Sequence, residues 1–185
     1  MKNYEAAGKG ATAANTPQGE LQLGLPQSNA RSKMYRAPVY RVTLVRDGSV
    51  TATGDREIAD SPAAVAQLVR KLIGDSPQEH LIVICVDSRS RVIGCSEVSR
   101  GTLSASLVHP RETFRIAICL NAAGLIVAHN HPSGDCSPSP DDRDTTRRLV
   151  RAGEILGIPV ADHVILGDAD AAKPYFSFRE SGLIG

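Results

Sequence analysis

The chain has no run of 18 consecutive apolar residues, and its N-terminus holds no apolar core of the kind an export signal requires. No membrane span is therefore expected, and the sequence reads as that of a soluble, cytoplasmic protein with no membrane partner. A charge excess of one sign is also lacking. Lys and Arg number 21 against 20 Asp and Glu, for a formal net charge of +1. No global field draws in nucleic acid, so such binding would need a local patch. None of the four cysteines, Cys85, Cys95, Cys119 and Cys136, belongs to a Cys-x-x-Cys pair. That removes the commonest thiol metal or redox spacing, and the three cysteines in apolar patterns are expected to be reduced core residues. Up to about Arg36 there is scarcely any periodic apolar pattern. Ala, Gly, Asn, Gln and Pro dominate, so residues 1–36 are expected to form a disordered arm in which Leu21-x-Leu23-x-Leu25 alone hints at a docking strand. What remains, residues 37–185 of a chain that is 42% hydrophobic, has room for one domain with a substantial core and no room for a second.

Within that domain, helical and extended patterns alternate. Tyr40, Val42 and Leu44 alternate with polar residues, and Asp47-Gly48 is a two-residue turn signal, so a hairpin is expected from Val39 to Thr53. Ser61-Pro62 opens a helix with Val65, Leu68, Val69 and Leu72 on one face, and Gly74 closes it. Glu79–Asp87 and Val92–Val98 flank the Ser88-Arg89-Ser90 turn as a central hairpin. Ser99 to Ser106 reads as a loop leading to a short edge strand at Ser106-Leu107-Val108, which could hold an extended peptide by strand addition. A helix follows from Pro110 to about Asn121, with His109 as its structural cap. Ala161–Gly167 and Tyr175–Ser177 read as closing strands. In the first of these, Asp162 and His163 could form a pair supporting the site.

The chemistry concentrates between His129 and Asp142. Gly124–Ala128 is a short apolar strand, and because side chains alternate with period two, His129 and His131 project to one side. Pro132-Ser133-Gly134 breaks the strand. Ser139-Pro140-Asp141-Asp142 then starts a helix, with Ser139 as N-cap, Pro140 at its first position and Asp142 at its third, returning a carboxylate to the imidazoles. Two neutral imidazoles and a carboxylate suit a divalent ion, zinc above others, with a fourth position open for water, and an open position points to catalysis. Spacing alone leaves Asp141 as a rival carboxylate. Cys136 lies inside the same loop and reads as an incidental thiol, since Asp142 already supplies the third ligand. The helix that follows, Pro140 to Leu156, carries Arg143, Arg147 and Arg151 four apart, a surface for phosphate or an acidic partner or simply a solvated face.

His129-x-His131-Pro132, six residues, Ser139, two residues, Asp142 resembles the JAMM signature of the JAB/MPN metalloproteases. The run His-Asn-His-Pro-Ser-Gly-Asp followed by Pro138-Ser139 is similar to the RadC branch of that family. The resemblance extends from about Ser61 to Ser177 and includes Glu79-His80, Gly101-Thr102-Leu103 and Val108-His109-Pro110-Arg111-Glu112. It implies a three-layer, cytidine-deaminase-like α/β fold with a mixed sheet flanked by helices. It also implies one zinc per chain on His129, His131 and Asp142, and a hydrolase-type site. Cys136 departs from the pattern, since a non-thiol residue is expected there. The helix-hairpin-helix domain of full-length RadC proteins has no counterpart in the pattern, so the chain resembles a short form without that module's means of binding DNA.

JAMM proteins supply the proton-handling base as a glutamate on a strand well upstream of the histidines. Glu79 is the matching position and Glu97, on the neighbouring strand, the rival; His80 points to the opposite face. On this resemblance the chain is expected to be a zinc-dependent peptidase or isopeptidase acting on a peptide or protein. Glu79 would shuttle the proton, and Ser139, if not occupied in capping, would donate a hydrogen bond to the developing oxyanion. The alternative is a DNA-maintenance accessory module, with DNA or a DNA-associated protein as partner, whose zinc serves only structure.

Overall fold

The computed structural model describes residues 41, 43–49, 59–74, 76–101 and 108–185. Among the described residues all regular elements lie in the unit that runs from Thr43 to Gly185; of the unit before it only Arg41 is described, as an exposed residue. The expected arm and most of the loop and edge strand before Val108 lie outside the described residues. Of the expected hairpin, the returning strand at residues 50–53 lies outside the described residues, and the described part of the first strand does not form. Residues 43–49 are exposed and carry no strand, with Leu44 47% and Val45 86% exposed. Alternation specifies a strand only where there is a surface to bury its apolar face, and a two-stranded hairpin alone is marginal in water.

Helix α1, Pro62–Ile73, begins where Ser61 accepts a hydrogen bond from the Ala64 amide (3.3 Å) and ends at Gly74, whose φ of 58° stops the helix at little cost. Strands β1 (His80–Val86) and β2 (Val92–Arg100) form the expected antiparallel hairpin. Helix α2 (Pro110–Cys119), strand β3 (Gly124–Asn130), helix α3 (Pro140–Leu156) and strands β4 (Val160–Leu166) and β5 (Tyr175–Ser177) complete the order. Among the described residues no helix is long and apolar enough to cross a membrane.

The sheet runs β2-β1-β3-β4-β5 and is mixed: β3 and β4 are parallel, joined through α3, and the other pairs are antiparallel. Both faces are covered, which is why β1 reads as an unbroken apolar run. On one face, Ile82, Ile84, Ile126 and Val164 pack with Val65 and Val69 of α1. On the other, Leu81, Val83, Val127 and Ile165 pack with Phe114 of α2 and Leu149 of α3. Strand alternation therefore assigns each side chain to the α1 side or to the α2/α3 side. This is the α/β layering expected from the sequence.

Candidate metal centre

β3 carries His129 to the α2/α3 side, following Leu125 and Val127, and His131 lies just beyond the strand end. The Pro132-Ser133-Gly134 turn is closed by a hydrogen bond from the Gly134 amide to the His131 carbonyl (3.0 Å), with Gly134 at φ 82°. The chain then enters α3 through a complete capping box. The Asp142 amide donates to Ser139 Oγ (3.1 Å), and the Ser139 amide donates to Asp142 Oδ2 (2.8 Å). The cap serves two purposes, since it fixes the helix start and aims Asp142 at the imidazoles. His129 Nε2 lies 3.2 Å from Asp142 Oδ1, His131 Nε2 3.5 Å from Asp142 Oδ2, and the two Nε2 atoms 3.0 Å apart. His129 and Asp142 are buried and His131 is half-buried. One ligand atom from each of these three residues falls within 4.8 Å of the others. Asp141 is exposed and outside that group, so the geometry selects Asp142 over its neighbour.

The hydrogen bonds fix which ring nitrogens carry protons. Asp135 O can only accept, so His131 Nδ1, 2.7 Å away, is a donor, and Nε2 is the nitrogen left without a proton once the ring is neutral. Thr146 Oγ1 lies 2.6 Å from the Asp142 carbonyl oxygen and must place its single proton there, leaving an oxygen that accepts from His163 Nδ1 at 2.6 Å. His163 Nε2 is then an acceptor for His129 Nδ1–H at 2.8 Å, so a neutral His129 ring also leaves its Nε2 without a proton. Two lone pairs and a carboxylate thus converge in a half-buried pocket, an arrangement that repels itself unless a cation sits among them. This donor set fits a divalent ion. Burial alone would raise the Asp142 carboxyl, but hydrogen bonds from His129, His131 and Ser139 outweigh it and hold the group far below the usual carboxylate range. The Asp142 hydrogen bond in turn raises His131 against the opposing effect of burial. Burial, then the neighbouring His129, push His163 well down, so it is a neutral imidazole.

The remaining candidates are placed as follows. Leu81 of β1 is paired with His129 of β3; Glu79 immediately precedes β1, and its charge contributes to raising the His131 imidazole. Glu97 is opposite Ile82 and so faces the α1 side. There it accepts from Arg100 Nε (2.9 Å) and meets His80 Nδ1 (3.1 Å). The Arg100 hydrogen bond first, and that of His80 next, lower its carboxyl against burial, which makes it a poor proton acceptor. Ser139 Oγ donates to Asp142 Oδ2 at 2.6 Å, so its hydroxyl proton is committed to the proposed ligand. Cys136 is buried, directs its thiol to the Lys173 carbonyl at 3.5 Å and stands apart from the three-residue group. His109 caps α2, accepting from the Arg111 amide at 3.2 Å. On α3, Arg147 pairs with Asp144, and Arg148 reaches the Val108 carbonyl (3.0 Å).

One expectation fails in an informative way. Asp162 and His163 are adjacent on β4 and so point to opposite faces. The Asp162 carboxylate takes hydrogen bonds from Ser177 Oγ (2.7 Å) and the Arg179 amide (3.0 Å), while the His163 ring meets His129 and Thr146. Thr146 escaped the sequence reading altogether. Its one signal is a hydroxyl on the buried face of α3, four residues after Asp142.

The family model of the RadC-like JAB domain matches residues 59–183. The chain is 45% identical over 141 residues to a UPF0758 protein of Rubrobacter xylanophilus, covering 76% of this chain and 60% of that protein. It is 47% identical over 124 residues to a UPF0758 protein of Trichlorobacter lovleyi, covering 67% and 52%. Against a UPF0758 protein of Thermotoga maritima it is 52% identical over 105 residues, covering 57% and 46%. The matched region thus spans about half of these relatives' length.

Proposed function

Since the chain belongs to the RadC-like JAB domain family, we propose that it is a zinc-dependent hydrolase of amide or isopeptide bonds in a peptide or protein substrate. The observation that carries this proposal is the convergence of the Nε2 atoms of His129 and His131 with the Asp142 carboxylate; the charge of Glu79, just before β1, reaches His131 and supports its role. Zinc held by these three residues would supply Lewis acidity, which polarises a carbonyl and lowers the pKa of water. Glu79 takes the proton from the attacking water as its oxygen bonds to the carbonyl carbon. Glu79 then returns that proton to the nitrogen as the C–N bond breaks, leaving a carboxylic acid and an amine. Ser139 orients Asp142 through its hydrogen bond, and it can support the oxyanion only by turning its hydroxyl away from Oδ2.

The test is a peptide and isopeptide library screened with wild type, followed by Glu79→Gln on any hit. Glu79→Gln should retain zinc and fold while losing about 10²–10⁴-fold in rate, the usual share of general acid–base catalysis. Equal turnover would remove Glu79 from its role. Absence of turnover in wild type, together with DNA binding that weakens steeply with salt, would favour the accessory-module alternative.

A further inference from the structure

Outside the three proposed ligands, the site contains a relay of buried groups that no metal would touch. It starts at the backbone carbonyl of Asp142, passes through the Thr146 hydroxyl and both nitrogens of His163, and ends at Nδ1 of His129. Every link is 2.6–2.8 Å long. Thr146 and His163 are buried, so water cannot replace either partner. The His163 ring is also held in plane by stacking on Phe178, with centroids 5.0 Å apart and an interplanar angle of 11°. An imidazole so gripped can vary only in which nitrogen carries its proton. Thr146 decides that, because its one hydroxyl proton is already given to the Asp142 carbonyl.

We propose that Thr146 and His163 are positioning residues that lock His129 in the Nδ1–H tautomer and so keep its Nε2 lone pair directed at the metal site. This rests on the metal reading above and deepens it. With both rings neutral, the relay has only two proton arrangements. In the one described, each hydrogen bond has one donor and one acceptor. If His163 carried its proton on Nε2, His129 would have to accept at Nδ1 and carry its own proton on Nε2. That proton would point at Asp142 Oδ1, 3.2 Å away, and close the position to a cation. A single hydroxyl on α3, remote from the proposed ligand atoms, therefore selects between a ring that can bind metal and one that cannot.

Thr146→Val keeps the shape of the side chain and removes the hydroxyl. His163 Nδ1–H would then be left buried without an acceptor, which favours the inverted arrangement. Two measurements test this. In the metal-free protein in alkaline buffer, the ¹⁵N shifts of the histidine rings report which nitrogen of His129 is protonated. Nδ1–H is expected in wild type, Nε2–H in Thr146→Val, and Nδ1–H again in Thr146→Ser, which restores the hydroxyl. In competition against a chelator, Thr146→Val should bind zinc about 10–100-fold more weakly than wild type, the usual cost of losing a supporting hydrogen bond to a metal ligand, and Thr146→Ser should recover it. A wild-type tautomer or wild-type zinc affinity in Thr146→Val overturns the proposal, as does failure of Thr146→Ser to rescue. Should wild type not bind zinc, the metal reading fails, and the tautomer measurement still decides whether the relay works as described.

Discussion

Gly167→Ala is the most direct probe of how the scaffold holds the metal loop. Gly167 follows β4 and faces the loop after His131. A methyl group there would overlap the Gly134 carbonyl oxygen and lie 3.1 Å from both Cβ and N of Cys136. The obstruction is mainly backbone, so no rotamer change can relieve it, and the loop must move away. Two bonds feel that movement. The Asp168 amide donates to the Gly134 carbonyl (2.9 Å), tying the two loops together, and the Asp135 carbonyl holds His131 Nδ1–H at 2.7 Å. Overpacking of this kind typically costs about 1–3 kcal/mol, and in a chain of this size each kcal/mol lowers Tm by about 2–4 °C. Releasing His131 from Asp135 should also weaken zinc binding by about 10–100-fold. The assay is thermal unfolding of the metal-free protein beside a chelator competition, with Gly157→Ala as control. Gly157 sits at φ 68° with nothing within 4 Å of a built Cβ, so that variant meets only left-handed backbone strain. It should lose about 1–2 kcal/mol and keep its zinc affinity. Wild-type Tm and affinity in Gly167→Ala would refute the reasoning, as would an equal loss of zinc affinity in Gly157→Ala.

Asp162→Ala strips the acceptor from Ser177 Oγ and from the amides of His163 and Arg179; at about 1–3 kcal/mol for each buried donor left unpaired, thermal unfolding should show a fall larger than that of Gly157→Ala, and a smaller one would mean that those donors find other partners. Cys85 is pushed up to about 12, by burial and then by the neighbouring Cys95. It should therefore escape iodoacetamide in native neutral buffer and be alkylated only on unfolding, as read by mass spectrometry. The same shift sets a sign for stability: above the ordinary thiol value near 9 the unfolded chain loses a proton that the native chain keeps up to about 12, so this contribution falls as pH rises through that window. Because the Asp142 hydrogen bond raises His131, the metal-free imidazole holds its proton above the usual histidine range, and zinc must displace it. Apparent zinc affinity should accordingly climb as pH rises through that range and level off once the ring is neutral; a flat profile would contradict the assignment of His131 as a ligand.

Much of the site was legible because its determinants are local. The His129-x-His131 alternation and the Ser139/Asp142 cap each act within a few residues, and local geometry alone brings them together. The support around His129 was not legible, because it depends on β4 lying parallel beside β3 in the register that sets His129 opposite Ile165. No pattern within β4 announces that neighbour, and the sequence offers His163 only Asp162, its neighbour in the chain, which points to the other face. The choice between Glu79 and Glu97 was equally undetermined by spacing. Strand pairing sets Glu97 opposite Ile82 on the α1 side, whereas Glu79, before β1, is the carboxylate whose charge reaches His131. The first strand of the hairpin expected before Asp60 is absent among residues 43–49 for the converse reason, since its local pattern is sound but these exposed residues have no face of the sheet to cover.

The three proposed ligands, together with Thr146 and His163, all come from β3, α3 and β4, one continuous crossover unit, whereas Glu79 arrives from the start of β1. On the proposed reading, holding an ion and using it would thus be encoded in separate parts of the chain. A substitution at one position before β1 could silence the chemistry and leave the ion-holding unit intact, converting a cutter into a binder without any change of shape. Descendants of one ancestor could then diverge into scissors and clasps that look identical in outline, and position 79 would tell them apart.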